Sequence, residues 1–310
     1  MPSILKITKL ILKNIYLFFR RLTNTIYYLS TSRKDILLID GWFRQRYGKL
    51  VKRNFGDELN VYLLEALTGK KVICARETLF FGDRFLVIGS LIEKYSTAKT
   101  YIWGSGAIDG NNNLLREKPL KVCAVRGKLS QEFLYRNDVK CPDIFGDPAL
   151  LLPLVYQPKI EKKYRYGIIP HVCDIANPIV TSFLKKNASD VHLISFMNYG
   201  DWQSVIDEIN SCEKIISSSL HGLIISDAYK IPNVWITISD NIAGGEYKYM
   251  DYFSGVDREY ISPIKLTLDR EITELEDIFV RYKTICPNID GLLQSCPFKE
   301  LISLNINKGN

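Results

Sequence analysis

Short apolar runs alternate with amphipathic runs along most of the chain. The apolar runs have the length of buried strands, and the runs between them repeat apolar residues at helical spacing. The predicted strands are 35–40, 71–74, 85–89, 100–104, 120–125, 166–170, 191–196, 214–218 and 233–239. The predicted helices are 57–67 (closed by Gly69), 128–136, 177–186, 201–211, 220–230, 272–286 and 289–296. Such alternation predicts the α/β class, with parallel sheets covered by helices on both faces.

The segment 153–164 interrupts this alternation. Its sequence, PLVYQPKIEKKY, is rich in proline and lysine and is typical of a linker. We therefore expect two Rossmann-like domains that face a central cleft, at 31–155 and 156–310, preceded by a separate segment, 1–30. In this architecture ligands bind between the domains, at the carboxyl ends of the strands.

Polar residues cluster where the predicted strands end. The clusters are at 54–57, 104–106, 126–127, 146–148, 170–174 and 217–221. Scattered loops would not concentrate polar residues so consistently, so the pattern favours one shared crevice.

One of these clusters predicts an anion site. A strand ends in Ser217, Ser218 and Ser219, and a helix begins at Leu220 with His221 in its first turn. The free N–H groups and positive dipole end of a helix start attract anions. The alternative is that the serines only cap the helix and His221 is an ordinary turn residue.

Composition excludes several other classes of protein. The chain has 310 residues, 46% of them apolar and 24% charged, as in soluble globular proteins. Its seven scattered cysteines form no Cys-x-x-Cys pair, which argues against a disulfide framework and suggests a reducing cytoplasm.

No Walker A, HExxH or Asp-x-Asp motif occurs, and 104–110 misses the dinucleotide fingerprint by one residue of spacing. With only three histidines, far apart, we expect no metal site.

The positive charge is concentrated at the amino end. Five of the seven excess positive charges are Lys6, Lys9, Lys13, Arg20 and Arg21, in an apolar segment without acidic residues. An amphipathic basic helix over 1–30 is predicted to dock on an anionic membrane surface. The alternative is a helix packed on the body of the protein. No run is long enough to span a bilayer, and the nearly neutral remainder argues against nucleic acid as a partner.

Seven segments, in order along the chain, identify a family resemblance. They are NFGDELNVYLLEALTGKKV (54–72), IWGSGAI (102–108), VRGKLSQEFL (125–134), FGDPALLLP (145–153), GIIPHVCD (167–174), ISSSLHGLIISDAYKIP (216–232) and GGEYKYMDYFSG (244–255). Over about residues 35–260 the chain resembles the polysaccharide pyruvyl transferase family.

The resemblance implies a reaction and a fold. A pyruvyl group passes from phosphoenolpyruvate to two neighbouring hydroxyls of a sugar as a cyclic ketal, and phosphate is released. A GT-B-type fold without a required metal or other cofactor is implied. The acceptor would belong to a surface polysaccharide or its lipid-linked precursor, at the inner face of the cytoplasmic membrane.

The donor is a small, multiply charged anion, so its site needs cations and N–H groups. Arg126, in the VRG segment, is the candidate guanidinium. The N–H groups near Ser218, Ser219 and Leu220 supply the helix start. Lys248 is a second candidate cation.

Protonation of the donor's methylene carbon needs a general acid with a pKa near neutrality. His221, in the SLHG segment, is the first candidate; its role is alternatively phosphate binding. A bound anion raises the pKa of a histidine, whereas a helix start lowers it, and we expect the anion to dominate. His171 is the second candidate, with Asp174 placed to orient it. His192 matches no family segment and is expected to be structural.

The acceptor hydroxyls need bases and hydrogen-bond partners. Asp57 and Asp147 are candidate bases, and Asn54 and Ser105 are candidate partners. The alternatives are that Asp57 caps a helix and that Asp147, before Pro148, fixes a turn.

Two other functions compete with this interpretation. A GT-B glycosyltransferase would use the same fold but needs a pocket for a nucleotide base and ribose, for which no segment is evident. A non-catalytic, membrane-docked scaffold would make Arg126 and His221 dispensable except for stability.

Overall fold

Two parallel five-stranded sheets form the framework of the computed structural model, which describes residues 4–31, 36–110 and 114–306. The predicted first residue of the first strand, Asp35, lies outside these residues. The strands are β1 Ile36–Asp40, β2 Gln45–Arg46, β3 Lys49–Leu50, β4 Lys71–Cys74, β5 Arg84–Leu86, β6 Thr100–Trp103, β7 Lys121–Ala124, β8 Tyr164–Ile169, β9 Val191–Leu193, β10 Cys212–Ser217, β11 Asn233–Thr237 and β12 Ile264–Lys265.

Helices connect these strands. The α-helices are α1 Ile4–Thr31, α2 Phe55–Thr68, α3 Ile92–Tyr95, α4 Lys128–Arg136, α5 Leu152–Val155, α6 Pro178–Lys186, α7 Trp202–Asn210, α8 Leu220–Ala228, α9 Tyr247–Gly255, α10 Glu276–Arg281, α11 Ile289–Gln294 and α12 Lys299–Ile306. Short 3₁₀ turns occupy Ala75–Glu77, Pro148–Leu151 and Ile272–Leu275.

The two sheets have the same strand order. The first runs β4-β1-β5-β6-β7 and the second β12-β11-β10-β8-β9, and neighbouring strands are parallel throughout. Numbered along the chain within each sheet, both orders are 2-1-3-4-5. The direction of winding therefore reverses between β1 and β5, and again between β8 and β10. This is the doubly wound α/β pattern, in which ligands bind at the reversal point.

Local sequence signals account for several helix ends. Gly69 ends α2 in the left-handed region, with φ 68°, and donates its N–H to the Glu65 carbonyl. Asn177 caps α6 by accepting from the Ile179 N–H at 3.0 Å, with Pro178 at the first helical position. These two helices match their predicted spans closely.

One apolar core joins the two halves of the chain. It includes Leu64 of α2, Leu151 of the 3₁₀ turn and Ile224 of α8. The last two helices, α11 and α12, pack on the first half of the chain. Phe298, between these helices, packs edge-on against Trp103 of β6 with ring centroids 5.4 Å apart. The indole N–H of Trp103 also donates to the Leu292 carbonyl at 2.9 Å.

The tail and several small elements differ from the prediction. The single helix predicted over 272–286 is wrong: α10 ends at Arg281, and the hydroxyl of Tyr282 donates to Asp227 at 2.8 Å. The hairpin β2–β3, helix α9 and strand β12 were not predicted, because their apolar repeats are too short to identify. In the predicted linker 153–164, α5 continues to Val155 and β8 begins at Tyr164.

The two halves of α1 have different surroundings. Asn24 and Tyr28 in its second half are buried, and the Asn24 amide donates to the carbonyls of Gln45 and Glu77 at 3.3 and 3.1 Å. Residues 8–16 in its first half are all exposed. Among the described helices, none combines the length and the hydropathy needed to cross a bilayer.

Candidate active site

A cavity of about 410 Å³ lies at the carboxyl ends of both sheets. Trp42 and Ser90 follow β1 and β5, and His171 and Ser219 follow β8 and β10, so the cavity touches both reversal points. Its lining residues are Trp42, Asn54, Asp57, Ser90, Ile108, Arg126, His171, Ser219, Leu220, His221, Ala243 and Lys248. Eight of the eleven predicted site residues are in this set; Ser105, Asp147 and Ser218 are not.

The start of α8 offers N–H groups to the cavity, but not all of those predicted. The Ser218 N–H donates to the Ile169 carbonyl at 3.2 Å, and the Ser219 N–H donates to the Ser217 hydroxyl at 3.0 Å. Both N–H groups are therefore occupied, which corrects the expectation that they bind an anion. No described group accepts from the N–H groups of Leu220, His221 and Gly222. The available donors thus lie in the first turn of the helix itself.

His221 is held tightly at the junction of α8 and α2. A Cβ added to Gly56, in the first turn of α2, would lie only 2.3 Å from the His221 Nδ1, so only glycine allows this approach. Burial, reinforced by the positive charges of Arg126 and Lys248, lowers the pKa of His221 to about 3. The imidazole is therefore neutral at neutral pH.

Asp147 lies beside His221, just outside the cavity lining. Its carboxyl oxygen Oδ2 is 3.9 Å from the His221 Nε2, and no described residue makes a hydrogen bond to either atom. Burial raises the pKa of Asp147 to about 7, although a hydrogen bond from the Ala149 N–H opposes this shift. That 2.9 Å bond also caps the 3₁₀ turn, so Asp147 fixes a turn as the alternative interpretation held. The two side chains form a buried pair with a titratable proton near neutral pH.

Arg126 lines the cavity but is not a free guanidinium. Its Nε donates to Asp251 at 2.8 Å, and both side chains are fully buried. Its two terminal nitrogens each donate at 2.7 Å, one to the Ser90 hydroxyl and one to the Ala107 carbonyl. These bonds use three of its five N–H groups, and no described residue accepts from the other two. Arg126 therefore fixes α9 to the end of β7 and still presents donors to the cavity.

Lys248, on α9, is the unpaired cation of the cavity. It is buried, and no described carboxylate lies within 4 Å of its ammonium group. Burial first, and then the charge of Arg126, lower the pKa of Lys248 to about 8, with Asp57 opposing the shift. It is thus protonated at neutral pH and placed to attract an anion.

His171 faces the same cavity in a different setting. Burial, and then Lys248, lower the pKa of His171 to about 4. Its Nδ1 lies 3.0 Å from the Cys173 sulfur, and its backbone N–H donates to the Ser218 hydroxyl at 2.9 Å. The Asp174 carboxylate instead accepts from the Ser239 hydroxyl at 2.5 Å, and it accepts no hydrogen bond from the described His171 ring, contrary to expectation.

Asp57 and Asn54 form the wall opposite α8. The Asn54 amide donates to the Asp57 carboxylate at 2.7 Å. Burial raises the pKa of Asp57 to about 6, with Lys248 opposing the shift. Asp57 is the third residue of α2 and does not cap it. A carboxylate with this pKa can accept a proton near neutral pH.

The cavity therefore combines two functions. Its cations and free N–H groups are suited to holding a small anion, and its carboxyl and imidazole groups with shifted pKa values are suited to exchanging protons. Among the residues that the structure describes, no three His, Cys, Asp or Glu side chains are grouped closely enough to hold a metal ion.

Comparisons with known proteins identify the family of the chain. A family model described as polysaccharide pyruvyl transferase matches residues 4–240. The chain belongs to the polysaccharide pyruvyl transferase family. The match includes every predicted site residue except Lys248, and it extends further towards the amino end than the resemblance seen in the sequence.

Two relatives of this family member are identifiable. It is 30% identical over 263 residues to the uncharacterized protein L143 of Acanthamoeba polyphaga mimivirus, covering 82% of this chain and 88% of that protein. It is 28% identical over 205 residues to the succinoglycan biosynthesis protein ExoV of Rhizobium meliloti (strain 1021), covering 64% of this chain and 60% of that protein.

Some residues in this pyruvyl transferase family member differ from their predicted places. Ser105 is fully buried and donates to the Gly89 carbonyl at 2.8 Å, so it joins two loops rather than contacting an acceptor. His192 lies outside the cavity, stacked on Tyr164 at 4.2 Å, as expected for a structural residue. Sequence reasoning missed Trp42 and Ser90, although both follow predicted strands. It also missed Asp251, which lies three residues after Lys248 in the segment 244–255.

Proposed function

We propose that this chain transfers a pyruvyl group from phosphoenolpyruvate to two neighbouring hydroxyls of a saccharide, forming a cyclic ketal and releasing phosphate. Membership of the polysaccharide pyruvyl transferase family supports the transfer to a polysaccharide. The observation that carries the choice of donor is the cavity that gathers Arg126, Lys248 and the first turn of α8 around His221. Phosphoenolpyruvate carries a carboxylate and a phosphate, and this set of donors suits both anions.

The reaction moves two protons. The two acceptor hydroxyls lose one proton each; one proton ends on the donor's methylene carbon, which becomes a methyl group, and the other leaves with the phosphate. Two C–O bonds form at the former enol carbon, and its bond to the phosphate oxygen breaks. The net oxidation state does not change, so this balance needs no oxidant or reductant. Arg126 and Lys248 supply positive charge that holds the anionic donor.

His221 is the proposed general acid, and Asp147 is its partner. A bound donor brings negative charge to the imidazole and raises its pKa from about 3, so that a proton can reside on the ring. Asp147, with a pKa of about 7, lies close enough to supply or share that proton. His171 is the second candidate for this role.

Asp57 is the proposed base for an acceptor hydroxyl. Its pKa of about 6 leaves it ionised at neutral pH and still able to take up a proton. Asn54 holds the carboxylate in place and contributes an amide to the same wall.

The architecture belongs to the same proposal. The two sheets are proposed as cores of two Rossmann-like domains in a GT-B arrangement, with a boundary near residue 155. The exposed half of α1, with Lys6, Lys9 and Lys13, is proposed to dock on an anionic membrane at its cytoplasmic face. Such docking suits a lipid-linked saccharide acceptor.

The test is direct turnover by the purified protein. Incubation with phosphoenolpyruvate and candidate lipid-linked oligosaccharides should release phosphate and add one pyruvyl ketal per acceptor, seen by mass spectrometry. Hexose addition from a nucleotide sugar, without reaction of phosphoenolpyruvate, would instead favour a glycosyltransferase. No phosphate release with any acceptor, by a folded protein, would argue against the proposal.

A further inference from the structure

A second cavity, outside the proposed donor site, has arginines as half of its lining residues. Its volume is about 320 Å³, and we call it the arginine pocket. Its lining residues are Arg20, Arg21, Trp42, Arg44, Val51, Arg53, Asn54, Glu58, Arg76 and Glu77. Five guanidinium groups against two carboxylates give this small space a strong positive potential.

Most of this positive charge is not neutralised within the protein. Arg20 pairs with Glu77 at 2.6 Å, and Arg76 lies 3.8 Å from Asp40. Among the described residues, no carboxylate lies within 4 Å of the guanidinium groups of Arg21, Arg44 or Arg53.

The two carboxylates of the pocket are already engaged. Glu77 is held by Arg20, and Glu58 accepts from the Arg53 backbone N–H at 2.7 Å and from the Tyr199 hydroxyl. The buried Nε atoms of Arg20, Arg21 and Arg76 have no hydrogen-bond partner among the described residues. A cluster of unsatisfied guanidinium donors is the arrangement that binds phosphate groups.

The arginine pocket adjoins the proposed active site. Trp42 and Asn54 line both cavities, so a ligand that occupies both would pass the Trp42 indole. This indole is 45% exposed, although Tyr95 packs edge-on against it at 5.3 Å. Arg76 and Lys94 also lie over the ring, 5.6 and 5.3 Å from its centroid, and the part of the indole that stays exposed can contact a sugar.

The pocket also lies at the base of the exposed half of α1. Arg20 and Arg21 belong to α1 and directly follow its exposed apolar residues, which include Leu12, Phe18 and Phe19. A lipid surface beneath that half of the helix would therefore bring its phosphate groups towards the arginine pocket, and the attached saccharide towards Trp42.

We propose that the arginine pocket binds the diphosphate group that joins the saccharide acceptor to its lipid. This rests on the proposed pyruvyl transfer, and it assigns the acceptor's anion to a site separate from that of the donor. The order along the molecule is lipid at α1, diphosphate at the arginines, sugar at Trp42 and reacting hydroxyls near His221.

The test measures binding of geranyl diphosphate to the full chain by calorimetry, with no phosphoenolpyruvate present. The pocket variant is Arg44→Gln with Arg53→Gln, both exposed and unpaired among the described residues, so folding should be retained. The matched control is Arg46→Gln with Lys49→Gln, which removes the same charge from the adjacent hairpin, outside the pocket. We expect the pocket variant to bind at least tenfold more weakly than wild type and the control to bind within about twofold.

Three further arms separate the sources of the phosphate. Phosphoenolpyruvate should bind equally to both variants. If the pocket variant bound phosphoenolpyruvate as much more weakly as it binds geranyl diphosphate, the pocket would belong to the donor and the proposal would be overturned. Inorganic phosphate should bind more weakly than geranyl diphosphate; equal affinity would assign the pocket to the released product. Vesicles of phosphatidylcholine and phosphatidylglycerol should pellet both variants equally; a loss confined to the pocket variant, with geranyl diphosphate binding intact, would assign it to lipid headgroups.

Equal binding of geranyl diphosphate by the two variants would overturn the proposal outright. Because this titration needs no turnover, its failure is distinct from failure of the proposed function. If the expected difference in geranyl diphosphate binding were found but no pyruvyl transfer occurred, only the proposed function would be rejected.

Discussion

His221 and Asp147 show how burial reverses the ordinary protonation of two side chains. Burial disfavours the charged form of each, so the pKa of the imidazole falls to about 3 and that of the carboxyl rises to about 7. Near neutral pH a proton of the pair therefore resides on the carboxyl and not on the imidazole. Negative charge from a bound donor favours its movement to the imidazole, next to the reacting carbon.

Replacing His221 tests this proton path. His221→Ala should lower kcat for phosphate release from phosphoenolpyruvate by about 10²–10⁴-fold, because a positioned general acid contributes that much. The matched control is His192→Ala, which removes a histidine that lies outside the cavity and should retain full turnover. Steady-state kinetics with thermal unfolding of each variant is the measurement. Unchanged kcat in folded His221→Ala would remove the general-acid assignment.

The pKa of Lys248 is expected to set the upper pH limit of donor binding. Its lowered pKa, about 8, means that it is charged below this pH and neutral above it. The kcat/KM for phosphoenolpyruvate should therefore fall as the pH rises above about 8, since this ratio reports groups of the free enzyme. In Lys248→Arg the charge persists, because arginine does not lose its proton in this range, and the fall should move to higher pH. An identical alkaline profile in both proteins would show that another group sets the limit.

At the scale of elements, the site depends on three helix positions. The first turn of α8 offers the N–H groups, and α9 carries Lys248. The start of α2 packs closely against the His221 ring at Gly56. The pair Arg126–Asp251 fixes α9 to the end of β7, and Asp251 also accepts from the Ser130 N–H and hydroxyl at 2.8 and 2.6 Å. The arginine is thus structural as well as a cavity donor.

Removing Arg126 should therefore affect stability as well as donor binding. Arg126→Ala leaves Asp251 charged, buried and without its guanidinium, which should lower the free energy of unfolding by about 3–5 kcal/mol. The control is Lys128→Ala, whose 3.0 Å pair with Asp257 is exposed, with side-chain exposures of 51% and 89%. That change should cost less than about 1 kcal/mol. Denaturant unfolding compares the two; equal losses would show that the buried pair does not anchor α9.

Most of the order of the elements was predictable from the sequence, but the contacts at their ends were not. The strand–helix order and the start of α8 at Leu220 follow from apolar spacing, which is a local signal. Which N–H groups of that start remain free was not predictable, because the Ser217 hydroxyl and the Ile169 carbonyl that occupy the others depend on side-chain orientation and sheet pairing. The break of the tail helix at Tyr282 likewise depends on a distant residue, Asp227.

At the scale of the whole molecule, α1 links the body of the protein to a proposed membrane surface. Its second half is anchored through Asn24 and Tyr28, although Ile26 and Leu29 on its outer side are exposed, and its first half is exposed throughout residues 8–16. Each lysine near an anionic surface contributes about 1 kcal/mol, and the apolar side chains add to this.

Deleting residues 2–19 should therefore abolish pelleting with vesicles of phosphatidylcholine and phosphatidylglycerol. The deletion stops before Arg20, which pairs with Glu77, so the fold and pyruvyl transfer from phosphoenolpyruvate to a soluble saccharide should be unaffected. A milder variant, with Lys6, Lys9 and Lys13 changed to Gln, should pellet partially. Equal pelleting of wild type and deletion would exclude the exposed half of α1 as the anchor.

The sequence by itself determined the α/β class, most of the order of strands and helices, and the family, because apolar periodicity and short motifs are local properties of the chain. It also placed most of the site residues at strand ends, and parallel sheets bring such ends to one edge. Only the tertiary structure decided that Arg126 is paired with Asp251, that Asp147 lies beside His221 and that five arginines meet beside the cavity. These contacts join residues far apart in the chain, and burial then sets their pKa values, so no local pattern contains them.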